Sequence, residues 1–204
     1  ALSAESLLET HGDALDDDAR EIAGDILAQA DRAGEIVRNL LDFSRTEKAQ
    51  FSPLSPGVIV KSSVALLKNQ IMISGLTLDV DVPSGLPKVA GNLRHLQQVF
   101  MNLLQNAAQA IPSQGDVWIH TVAESGWVKI TIRDNGVGIP EAQLNRIFVP
   151  FFSSMPVGMG TGLGLSISYG IIQKHRGKIR AASQVGEGTE FVIELPVRSI
   201  GRTI

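Results

Sequence analysis

Cysteine is absent from this 204-residue chain, which excludes disulfides and thiolate metal sites. No apolar run reaches the roughly 18 residues that would span a bilayer. The first residues do not read as a signal peptide either. Dense Lys/Arg clusters are missing and the net charge is −3, so no nucleic-acid partner is expected. The common nucleotide loops are lacking too. Gly-x-x-x-x-Gly-Lys-Ser/Thr does not occur. Gly-x-Gly-x-x-Gly fails when counted from Gly158, Gly160 or Gly162, because the sixth position is Leu163, Leu165 or Ile167. That argues against a P-loop NTPase, a dinucleotide fold and a eukaryotic-type protein kinase.

What is present can bury a core: 44% of residues are hydrophobic and 19% charged. Residues 1–10 read as the end of a helix that opens midway through its pattern, as in a piece of a longer chain. His11-Gly12-Asp13 breaks that helix, and Asp16, Asp17 and Asp18 supply a cap and first-turn acids for a second one. The second helix is expected to run to about Lys48. Its seam of Ala23, Ile26, Ala30, Ala33, Val37, Leu40 and Ser44 steps 3-4-3-4, the spacing of a helical bundle that a second copy would complete. Phe51 to Gly57, with two prolines near a glycine, reads as a linker.

Beyond the linker, helices are predicted over about 58–72, 92–111 and 162–175, the middle one capped by Asn92. Alternating apolar residues predict strands over 76–82, 117–122, 128–132, 178–183 and 189–195, with another short strand after the Pro83–Pro87 turn. Hairpins dominate, so the expected class is α+β, with helices on one face of a mixed sheet.

Three clusters carry chemistry. Asn102 and Asn106 are four apart, on one face of the 92–111 helix. They read either as structural hydrogen-bonders or as neutral oxygen ligands for Mg²⁺. Asp134 ends a strand whose Ile130 and Ile132 point inward, and Gly136 and Gly138 allow close approach of a flat ligand. The carboxylate is either part of a plain turn or an acceptor for an exocyclic amine. Gly158 to Leu165 is glycine-rich and leads into a helix whose N-terminus would face phosphate.

Taken in order, Asn102-Leu103-Leu104-Gln105-Asn106-Ala107, Asp134-x-Gly136-x-Gly138, Phe148-Val149-Pro150-Phe151-Phe152 and Gly160-Thr161-Gly162-Leu163-Gly164-Leu165 resemble the N, G1, F and G2 boxes of bacterial sensor histidine kinases. Gly186 to Phe191 resembles the family's closing strand. The match spans about residues 55–197. The resemblance implies a two-layer α/β sandwich, the Bergerat-type ATP-binding fold shared with gyrase, Hsp90 and MutL. It implies three parts: a partial dimerisation and histidine-phosphotransfer hairpin (1–48), a linker (49–57) and an ATP-binding catalytic domain (58–204).

It also implies roles. Asn106 would ligate Mg²⁺, supported by Asn102. Asp134 would read the adenine amine of ATP, helped by Thr189, with Gly136 beside it. Gly138 and Ile139 would contact the base. Gly160, Thr161, Gly162, Leu163 and Gly164 would meet the phosphates, and 148–162 would form a lid. A response-regulator receiver domain and a second copy of the chain are the implied protein partners. The implied location is cytoplasmic, with possible anchoring of a full-length protein at the inner membrane.

Hsp90, gyrase and MutL resemble one another in carrying a glutamate one turn before the magnesium asparagine. Here that position is Asn102, whose amide is no general base. Transfer to a protein side chain is therefore expected over hydrolysis. None of His11, His95, His120 and His175 has the acid-following context of the family's phospho-acceptor. The acceptor is expected N-terminal of Ala1, and the fragment is not expected to phosphorylate itself. Where Thr-Thr-Lys-Pro is common after the Pro-Phe-Phe box, this chain has Ser153-Ser154-Met155-Pro156. Loss of the lysine predicts weaker nucleotide binding, with Arg176, which stands where His-Gly-Gly is commoner, as a compensating cation. The competing readings are a serine kinase of the same superfamily and a degenerate binding or dimerisation module.

Overall fold

A computed structural model describes residues 16–44, 51–73, 75–153 and 161–197. Helix α1 (Asp17–Ser44) begins where Asp16 Oδ1 accepts the Ala19 N–H at 2.7 Å, with Asp17 and Asp18 in its first turn. This is the acidic N-cap expected from the sequence. Of its seam, Ala23 is buried while Ile26, with neighbouring Ile22, stays more than half exposed. The side chains of Val37, Leu40 and Ser44 lie outside the described set, as do residues 1–15 with His11.

The segment read as linker is partly structured. Ser52–Leu54 forms β1, antiparallel to β3 (Val89–Gly91). Pro53 fits because this two-stranded sheet is all edge, where a missing N–H costs no ladder bond. Helix α2 then starts at Pro56 and runs to Ile73. The folded unit thus takes in residues that composition alone assigned to a tether.

The main sheet has the order β2-β4-β5-β7-β6 (Leu76–Asp81, Gly115–Glu124, Trp127–Asp134, Gly188–Pro196 and Lys178–Gln184). β2 and β4 are parallel and the remaining pairs antiparallel, so the sheet is mixed. Along β5, Val128, Ile130, Ile132 and Asp134 are buried while Lys129, Thr131 and Arg133 alternate outward. Helices α2, α3 (Leu93–Ala110) and α5 (Gly164–Lys174) cover the inner face, α3 lying between the other two. Leu96, Val99, Phe100, Leu103, Leu104 and Ala107 form the apolar stripe of α3 and meet Ile119, Ile130, Ile132, Ile172 and Ile193 in one core. A single turn of helix, α4 (Glu141–Leu144), has no counterpart in the sequence expectations. Among the described residues no helix is long and apolar enough to cross a membrane.

Candidate functional site

The inner face of β5 and β7 ends in two polar residues side by side. Asp134 pairs in register with Thr189, and they are 3% and 4% exposed. Asp134 Oδ1 accepts the Gly136 N–H at 2.9 Å and the Thr189 N–H at 3.3 Å. Oδ2 has no partner among the described residues. Burial pushes the carboxyl above its ordinary range, against the pull of those two N–H groups and of Arg133. A carboxylate kept in an apolar wall at this cost is suited to a donor from outside.

The loop after β5 is pinned on two sides. Val137 N–H donates to the Ala110 carbonyl at the end of α3, and Gly186 N–H donates to the Val137 carbonyl. Gly138 has φ +72, and a Cβ there would fall inside the Gln184 carbonyl, so only glycine brings this loop against the β6–β7 hairpin. Ile139 N–H donates to Ser183 Oγ at 2.8 Å.

On the helix layer, Asn92 caps α3 by accepting the His95 N–H at 3.1 Å. One face of the helix then presents both asparagines. Asn102 Nδ2 donates to the Gly164 carbonyl at 2.9 Å and to Ser168 Oγ at 3.1 Å, fastening α3 to the start of α5. Asn106 Nδ2 is buried with no partner among the described residues. An amide turned over about its last torsion puts oxygen in that place. A neutral oxygen ligand suits Mg²⁺, which takes its other ligands from water and phosphate. Among the described residues no group of three or more His, Cys, Asp and Glu could hold a metal.

Leu163 precedes α5 without a side-chain cap bond, leaving first-turn N–H groups for a ligand. Its own N–H faces Thr161 Oγ1 at 3.4 Å. Gly162, at φ +67, lies against Phe151, where a Cβ would stand 2.6 Å from the backbone carbon. Phe151 N–H donates to the Gly162 carbonyl at 2.9 Å, joining the two ends of the loop between them. Gly158 and Gly160, like Ser154 and Met155, lie outside the described residues.

The structure thus brings Asp134, Gly136 and Thr189 together, sets Gly138 and Ile139 on the hairpin, and joins Asn102 to Gly164. It shows no described contact between Asn106 and the other site residues. Arg176 does not serve as a compensating cation: it follows the C-terminus of α5, about 16 Å of helix from Gly164. Ser168 and Ser183 are additions. The spacing of Ser168, four after Gly164, was its available signal. An open depression lined by Trp118, His120, Thr131, Arg133 and Glu190 lies on the outer sheet face, opposite Asp134.

The family described as histidine kinase-, DNA gyrase B-, and HSP90-like ATPase matches residues 91–199. Sporulation kinase E of Bacillus subtilis is 32% identical over 174 residues, 85% of this chain and 23% of its own length. Sensor histidine kinase ZraS of Escherichia coli is 33% identical over 181 residues, 88% of this chain and 38% of its own length. The chain therefore spans well under half the length of these relatives. The catalytic domain of histidine kinase ThkA superposes with a TM-score of 0.65 at 28% identity, over 72% of this chain and 95% of that domain. ThkA in complex with response regulator protein TrrA shares the fold, with a TM-score of 0.75 at 23% identity over 96% of this chain and 57% of that one.

Proposed function

The chain belongs to the histidine kinase-, DNA gyrase B- and HSP90-like ATPase family, as the ATP-binding catalytic domain of a two-component sensor histidine kinase, and from that premise we propose that it delivers the γ-phosphoryl group of MgATP to a histidine outside these 204 residues. The phosphoryl group then passes to a response regulator. Asp134 holds the adenine amine with Thr189 beside it, and Gly136, Gly138 and Ile139 line the base. The backbone from Gly160 to Gly164 and the start of α5 receive the phosphates. Asn106 holds Mg²⁺, which neutralises phosphate charge when bound.

One observation carries the choice of transfer over hydrolysis. The group one turn before Asn106 is an amide, and its nitrogen is already committed to Gly164 and Ser168. It has neither the basicity nor the freedom to activate water. Burial of His175 supports an acceptor elsewhere. Exposed Ile22 and Ile26 on α1 support bundle formation with a second copy through residues 1–48. Outward residues of α1 would then choose the regulator. Residues 49–57 connect that part to the catalytic domain (58–204), with β1 and the start of α2 already packed into the folded unit, and the site of action is the cytoplasm.

Calorimetric titration with ATP tests this reading. Binding should require Mg²⁺, and Asn106→Ala should abolish the magnesium requirement together with at least tenfold of the affinity, about 1.4 kcal/mol. Absence of ATP binding, or an affinity indifferent to Mg²⁺, would overturn the assignment.

A further inference from the structure

Ser183, on β6, faces Thr189 across the closing hairpin, and its hydroxyl has three partners. It lies 2.7 Å from the Gly188 carbonyl, 2.8 Å from the Ile139 N–H and 3.0 Å from Thr189 Oγ1. A hydroxyl has one proton to give and two lone pairs. The carbonyl can only accept, so the Ser183 proton goes to Gly188. The Ile139 N–H can only donate, so it takes one lone pair. The remaining contact is therefore fixed in direction, with Thr189 donating to Ser183.

Thr189 is thereby left with lone pairs and no proton for the pocket. It stands beside Asp134 on the inner face of the sheet, with both Asp134 N–H partners on Oδ1. The wall formed by these two residues offers acceptors only. A 6-amino group with its two protons suits such a wall, whereas a 6-oxo group meets oxygen with oxygen. We propose that Ser183 is a positioning residue that fixes the hydroxyl direction of Thr189 and so makes the pocket select amino over oxo purines. The proposal rests on the reading that a purine nucleotide seats its base at Asp134.

The experiment compares ATP with inosine triphosphate, its 6-oxo counterpart, by calorimetry on the chain and its variants. In Ser183→Ala the Thr189 proton is released to turn into the pocket. The ATP-to-ITP affinity ratio should fall at least about tenfold, the scale of one lost hydrogen bond against one mismatch. Loss of the Ile139 anchor lowers both affinities alike and leaves the ratio untouched. Thr189→Val should reduce the ratio similarly, and adding Ser183→Ala to it should change the ratio no further. Should the alanine variant melt below the assay temperature, near-isosteric Ser183→Cys, a weak hydrogen-bonder, carries the same expectation. An unchanged ratio in the serine variants, or a further fall in the Thr189→Val background, overturns the role of Ser183. A wild-type chain that binds neither nucleotide, or a ratio indifferent to Asp134→Asn, sinks the underlying base assignment and this proposal together.

Discussion

Asp134 shows a carboxyl group held against the interest of the fold. Its burial raises the carboxyl pKa, so the folded state binds a proton more readily than the unfolded chain. Stability is lost on this account as pH rises above the ordinary 3.8 through the folded value. Asp134→Asn keeps an oxygen for the Gly136 and Thr189 N–H groups and removes the buried charge. We expect its melting temperature to equal or exceed the parent's at neutral pH. Its ATP affinity should fall about tenfold or more, the worth of a charge-assisted bond. A variant that melts lower and binds ATP normally would show that the carboxylate serves structure. Residue type and short spacing single out Asp134 and the two asparagines in the sequence, while their roles come only from the order of motifs around them. Ser183 was not legible there, because its meaning comes from Ile139, 44 positions away, and only the folding of the loop after β5 onto the β6–β7 hairpin brings the two together.

At the scale of elements, α5 ends in a Schellman arrangement. Arg176 N–H donates to the Gln173 carbonyl and Gly177 N–H to the Ile172 carbonyl, each at 2.9 Å. The residue between cap and Gly177 must take the left-handed conformation, and Arg176 does so at φ +55. A side chain there costs roughly 1–2 kcal/mol, and glycine returns about 0.4–1 kcal/mol of that as unfolded-chain entropy. Arg176→Gly should therefore stabilise the chain by about 0.5–1 kcal/mol in urea unfolding. A destabilised variant would mean that the exposed guanidinium makes a compensating contact. The elements themselves were mostly readable. Asn92 caps α3 as its position suggested, and Ser125 and Gly126, both at positive φ, turn the β4–β5 hairpin. Short β1 and one-turn α4 escaped, since three or four residues carry no period. The parallel partnership of β2 with β4 has no local signal at all.

On the scale of the whole molecule, His175 joins parts that are distant in sequence. Its Nδ1–H donates to the Ile171 carbonyl at 2.8 Å, and its Nε2 accepts the Asn92 N–H at 3.0 Å, next to the cap of α3. Phe51 stacks on the ring at 4.7 Å between centroids. Burial lowers the His175 pKa below 6.5, the Ile171 bond opposes this, and nearby His95 adds to it. Stability from the neutral ring is complete above pH 6.5 and declines as pH falls below that value toward the folded pKa. The melting temperature should drop between pH 7 and 5.5, and His175→Gln should flatten that slope. A slope equal in both proteins would remove the histidine as its source.

The short sheet of β1 and β3 gives the chain ahead of the catalytic unit a mechanical character. Phe51 to Leu54 is not a slack tether, because it is laced to Val89–Gly91 and braced on His175. Tension or torsion arriving along the backbone at Phe51 loads β3 directly, and the next residue is Asn92, the cap of the helix bearing Asn102 and Asn106. A force arriving there would meet the start of the helix that carries Asn102 and Asn106 through a few hydrogen bonds.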